Sequence, residues 1–131
     1  MDKQIVGEWR LVETRATDDD GHPVPSPYGP EPMGLLKFNT QGRMMAVLSD
    51  GRAVLPEGQS GREYVSYCGQ YCFDGKTLRT AVDGTSDAGR IGGVQVRRVE
   101  FRGEMMVLFP PPRALGDVNQ HRELIWEKIL S

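Results

Sequence analysis

No stretch of the chain approaches the roughly eighteen consecutive apolar residues that carry a helix across a bilayer. The opening Met1-Asp2-Lys3-Gln4-Ile5 also lacks the apolar block of a secretion signal, so the sequence reads as cytoplasmic, with no membrane partner. A basic face is missing too. The 16 Lys and Arg are outnumbered by 18 Asp and Glu, for a formal charge of −2, and the only basic block is the pair Arg97-Arg98. That balance argues against nucleic acid as a partner. Cysteine is scarce: Cys68 and Cys72 are the whole supply. Four residues apart on a strand, they would sit about 13 Å from each other on one face, beyond disulfide reach. With no further cysteine or nearby histidine to complete a ligand set, they read as reduced thiols, and neither a metal nor a cofactor is implied.

What is abundant is punctuation. Sixteen glycines and nine prolines in 131 residues favour many short elements joined by turns, in a single domain over residues 1–131. Asp18-Asp19-Asp20-Gly21 is a turn signal; Pro23, Pro25 and Pro27 interrupt any calcium loop starting there. Five prolines between His22 and Pro32 exclude helix and central strand and mark a loop across a barrel end or a lid. Period-two alternation and turn dipeptides such as Asp74-Gly75 place strands near 9–15, 33–38, 43–48, 63–73, 77–83, 93–101, 105–109 and 121–130. In the first of these Trp9, Leu11 and Glu13 share a face. Eight antiparallel strands in sequence predict an all-β meander closed into a barrel, because closure removes unpaired edges. The run Met44 to Leu48 is apolar on both faces, so its outer side calls for a covering helix, a loop or a second subunit, which leaves room for a homodimer.

Gly7-Glu8-Trp9-Arg10-Leu11, Gly34-Leu35-Leu36, Tyr67-Cys68-Gly69-Gln70-Tyr71, Gln95-Val96-Arg97-Arg98 and Leu124-Ile125-Trp126-Glu127, in that order, resemble the bacterial lipocalin-like domain family. The resemblance implies an antiparallel, calycin-like barrel with a central cavity. Barrels of this shape include carriers, inhibitors and a few isomerases or cyclases. The chain departs from the family where a histidine often stands: Leu78 to Val82 holds Arg79, Thr80 and Ala81 instead.

Tyr67, Tyr71 and Phe73 share one strand face, with Gly69 between the tyrosines leaving space, while Tyr64, Cys68 and Cys72 belong to the other. Gln95, Arg97, Val99 and Phe101 form one face of a later strand. An inward Arg97 needs either an anionic ligand or an internal acid, for which Asp83 and Glu123 are the candidates. The expected ligand contacts are therefore Trp9, Tyr67, Tyr71, Phe73, Gln95, Arg97 and Glu123, around a small amphipathic or aromatic molecule. The rival reading is a cofactor-free isomerase, cyclase or lyase in which Tyr71 or His121 moves a proton and Arg97 stabilises an enolate or carboxylate. A third is a filled barrel serving a structural or dimerising role.

Overall fold

The computed structural model describes residues 4–131. Nine strands run β1 (Gly7–Thr17), β2 (Pro32–Phe38), β3 (Arg43–Asp50), β4 (Tyr64–Phe73), β5 (Thr77–Thr85), β6 (Val94–Arg102), β7 (Met105–Phe109), β8 (Arg113–Leu115) and β9 (Val118–Leu130). Strands β1 to β7 pair antiparallel in sequence, β7 pairs with β9, and β1 returns to pair with β9 from Glu8↔Leu130 to Thr17↔His121. The eight expected strands therefore close into the expected lipocalin-like barrel. The added strand, β8, is a short hairpin arm on the start of β9.

Local chemistry explains the turns. Between β2 and β3 the Asn39 carboxamide oxygen accepts the N–H groups of Gln41 and Arg43, and Gly42 takes φ +90°, which a side chain would resist. Asp74 likewise accepts from Lys76 and Thr77 between β4 and β5. The Pro-rich segment passes as a loop over one barrel end and buries Tyr28 beneath it.

Two bulges interrupt the strand register, and the first changes which side chains point inward. In β1 a bulge between Leu11 and Glu13 reverses the alternation: Trp9 and Leu11 are buried, then Ala16. Glu13 is thereby turned outward against Arg15, at 3.1 Å, contrary to the simple alternation expected from the sequence. A second bulge opposite Cys68 and Gly69 leaves Asp83 unpaired on β5 without disturbing its alternation, so Asp83 faces outward like Arg79 and Ala81 and its carboxylate pairs with Arg43 at 2.9 Å.

The interior is packed unevenly along the barrel. One end is an aromatic plug: Phe38 meets Tyr71 edge-on at 5.0 Å, Phe73 meets Phe101 at 6.1 Å, and Trp9 lies 6.4 Å from Phe101. Each such pair adds about 0.5–1.5 kcal/mol beyond simple burial. Toward the other end the walls are aliphatic, with Leu36, Leu48, Val65, Leu108 and Leu124 buried around Trp126. Gly34 admits that indole: a Cβ there would stand 3.2 Å from Trp126 and 2.9 Å from the Val47 carbonyl.

Candidate functional site

Beyond the aliphatic belt the barrel interior becomes cationic. Arg97 projects from β6, Arg122 from β9 and Arg90 from the 3-10 turn Ala88–Arg90, all onto one cavity that Tyr28, Tyr67 and Trp126 also line. The cavity measures about 40 Å³. That is space for roughly three water-sized groups, so the walls close tightly around it. Strand parity puts Arg97 and Arg122 there, because each shares the inward register of buried neighbours: Val99 on β6, Leu124 and Trp126 on β9.

Hydrogen bonding within the site is lopsided. Arg90 donates to the Gln95 carboxamide oxygen at 2.5 Å, lies 5.8 Å from the centre of the Tyr67 ring, and pairs with the rim acid Asp87 at 3.3 Å. Arg97 donates only to the neighbouring Val96 carbonyl, at 3.0 Å. Arg122 Nε and the indole N–H of Trp126 are buried with no partner, as is the Gln120 carboxamide oxygen.

The electrostatics follow from burial. Desolvation lowers the pKa of Arg97 and of Arg122; for Arg97 the neighbouring guanidiniums of Arg90 and Arg122 push the same way, against Tyr67. Burial raises both phenols, Tyr67 and Tyr28, above their ordinary range. Tyr67 is accordingly a neutral hydrogen-bonding group and a poor base near neutral pH.

The sequence pattern of the lipocalin-like domain matches residues 6–129, nearly the whole barrel. The chain belongs to the lipocalin-like domain family. No curated protein matches it. A crystal structure of an uncharacterized protein from Bacteroides eggerthii DSM 20697 is similar at 16% identity and a TM-score of 0.45, with 94% of this chain and 98% of that chain covered.

Within this lipocalin-like barrel the residues singled out from sequence fall into separate places. Tyr67 and Arg97 line the cavity, and Gln95 meets its edge through Arg90. Trp9, Tyr71 and Phe73 instead belong to the aromatic plug. The Tyr71 hydroxyl donates to the Asn39 carbonyl at 2.7 Å, so it braces the β2–β3 turn and does not converge with Tyr67. Glu123 is turned to the outer surface, where Arg102 holds it at 3.1 Å. His121 sits on the exposed rim, 2.8 Å from Asp19. Tyr71, Arg97 and His121 therefore form no common proton-transfer set.

Two further expectations are corrected. Neither Asp83 nor Glu123 neutralises Arg97, since each is engaged by an arginine outside the barrel. Gly69 leaves no space in a pocket either: a Cβ there would lie 2.0 Å from the Ala81 carbonyl oxygen, so the position is filled by the backbone of β5. Tyr28, Arg90, Arg122 and Trp126 were not singled out for the site. Arg122 and Trp126 were accessible through parity, being two and six residues beyond the buried Gln120. Tyr28 and Arg90 are delivered by loops, which carry no such period.

Outside the barrel, β2 to β5 bear an apolar depression of about 610 Å³ that includes Leu35, Met45, Val47 and Cys68. Met45 is 57% exposed, so no helix or loop among the described residues covers the doubly apolar strand. Cys68 lies there 3.7 Å from Asp83, and Cys72 is exposed; both are free thiols.

Proposed function

We propose that this lipocalin-like protein binds a small amphipathic or aromatic molecule inside the barrel, with its polar end at Tyr67 and Arg97 and its apolar part against the aliphatic belt. The observation that carries this reading is the single cavity in which guanidinium and phenol groups adjoin Leu36, Leu48 and Leu108. A cavity with apolar walls and a few convergent polar groups is the usual anatomy of a small-molecule site. Access is favoured at the polar end, where the covering groups, Tyr28 and Arg90, belong to loops, while the opposite end is an interlocked aromatic plug. A guest larger than a few atoms displaces those two side chains on entering.

Titration of the protein with hexan-1-ol, benzyl alcohol and hexanoate, followed by tryptophan fluorescence and melting temperature, tests the proposal. Saturable binding by at least one compound is expected, and Leu108→Trp, which fills the cavity, should abolish it. Absence of binding across the panel, or binding undiminished in a folded Leu108→Trp protein, would refute the interior site.

A further inference from the structure

Two guanidinium groups stand inside the barrel without an acid. Arg97 finds only a backbone carbonyl, and Arg122 leaves its Nε unpartnered in a buried position. The rim acids are committed elsewhere: Glu63, whose charge reaches Arg122, pairs with Arg113 at 3.3 Å, and Asp87 pairs with Arg90 at 3.3 Å. Arginine does not shed its proton under physiological conditions, so burying these side chains unpaired is expensive. The cost is compounded by an imbalance of donors. Three guanidiniums, two phenols and Trp126, whose indole N–H has no partner, line a cavity at whose edge the Gln95 oxygen is already taken by Arg90; the acceptors left among its side chains are the two phenol oxygens, which are neutral.

From this juxtaposition we propose that the barrel is a receptor for a carboxylate: the head group of a small apolar acid, clasped by Arg97 and Arg122 and completed by the Trp126 N–H. The inference rests on the ligand-binding reading above and assigns the chemical class of the guest. A carboxylate brings negative charge and two acceptor oxygens in one plane, matching the fork of a guanidinium. A neutral polar group supplies acceptors but leaves the charge uncompensated. Phosphate and sulfate, with five heavy atoms each, take more room than the cavity offers before its walls move. The size agrees: about 40 Å³ holds a carboxylate on a single carbon, and the aliphatic belt takes up a longer tail as the walls part.

Matched pairs of equal shape test the assignment. Acetate and propionate are compared with acetamide and propionamide by ¹H–¹⁵N spectra of the two tryptophan indoles. Trp9 is an internal reference, since its N–H is held by the Ile5 carbonyl at 2.9 Å, whereas that of Trp126 is free to bond a guest. Propionate should shift the Trp126 indole signal saturably, leave that of Trp9 in place, and bind at least tenfold more tightly than propionamide. Arg97→Met and Arg122→Met should each weaken propionate at least tenfold while melting no lower than the parent, because each removes a buried charge. Arg97→Lys, which keeps the charge but loses the fork, should fall between. Equal binding of propionate and propionamide would overturn the carboxylate assignment while leaving an interior site intact. Equal shifts by chloride or phosphate would overturn it in favour of a general anion site. Silence of the Trp126 signal toward every compound, together with failure of the hexan-1-ol and benzyl alcohol panel, would instead remove the interior site itself.

Discussion

Gly69 offers the sharpest test of how the barrel wall is built. Alanine at this position would place its Cβ 2.0 Å from the Ala81 oxygen, 2.8 Å from the Ala81 carbonyl carbon and 3.1 Å from Val82 Cα, all backbone atoms of the paired strand. No side chain can rotate away to relieve this. To recover ordinary contact, β4 and β5 must part locally by more than 1 Å, enough to break the ladder bonds flanking the bulge. Overpacking costs about 1–3 kcal/mol, and each lost hydrogen bond about 1 kcal/mol more, so Gly69→Ala should destabilise the fold by about 3–4 kcal/mol. Against a typical total stability of about 5–15 kcal/mol that is a large share. Urea unfolding followed by the fluorescence of buried Trp9 and Trp126 reads it directly. With a slope of about 1.5–2 kcal/mol per molar, the midpoint should drop by about 2 M. Gly61→Ala is the control, because nothing lies within 4 Å of a Cβ there. It should be neutral, or stabilising by about 0.4–1 kcal/mol through the unfolded chain. A Gly69→Ala midpoint equal to the parent's would refute the close approach of β5, and an equal drop in both variants would show that the loss is not local.

Three other outcomes are expected. Tyr71→Phe, which deletes the bond to Asn39, should cost about 1 kcal/mol in the same urea assay yet leave propionate affinity unchanged. His121→Ala, at the exposed rim, should alter neither propionate binding by fluorescence nor the melting temperature by more than about 2 °C. The Asp50 carboxyl, side chain fully enclosed, is held at about 2 by hydrogen bonds from Arg52, its ordinary value being 3.8. Because the folded value is the lower one, its contribution to stability is complete above about pH 4 and is lost as the pH falls toward 2. Acid unfolding followed by circular dichroism should therefore steepen in that window, and Asp50→Asn should flatten the slope there.

Much of the barrel was legible because a strand writes its face into the sequence every second residue. Tyr67, Tyr71 and Phe73 on β4, and Arg97, Val99 and Phe101 on β6, share faces as their parity predicts. Parity says nothing of depth along the barrel, however. Tyr67 and Tyr71 are separated by four residues of strand, about 13 Å, enough to put one in the cationic cavity and the other in the aromatic plug. The bulge after Leu11 is silent in the sequence for a related reason: one extra residue shifts the register without changing the composition that would announce it. Likewise β8, three residues long after three prolines, is too short to show a period. Glycine is ambiguous in the same way. At Gly69 its lack of a side chain reads as free space from the sequence, and proves to be the footprint of a neighbouring backbone.

The cavity of about 40 Å³ also bounds what the barrel can achieve as a receptor. Three or four heavy atoms fit without moving a wall, and the best small ligands gain at most about 1.5 kcal/mol per heavy atom. A guest so confined gains about 5.5 kcal/mol, a dissociation constant near 0.1 mM. Tight binding is reserved for acids whose tails lift Tyr28 and Arg90 off the rim. Residence time then depends on two loops, while recognition depends on rigid strands, so mutations in Pro23–Pro32 and Gly84–Gly93 should tune how long a guest stays without changing which guest is chosen.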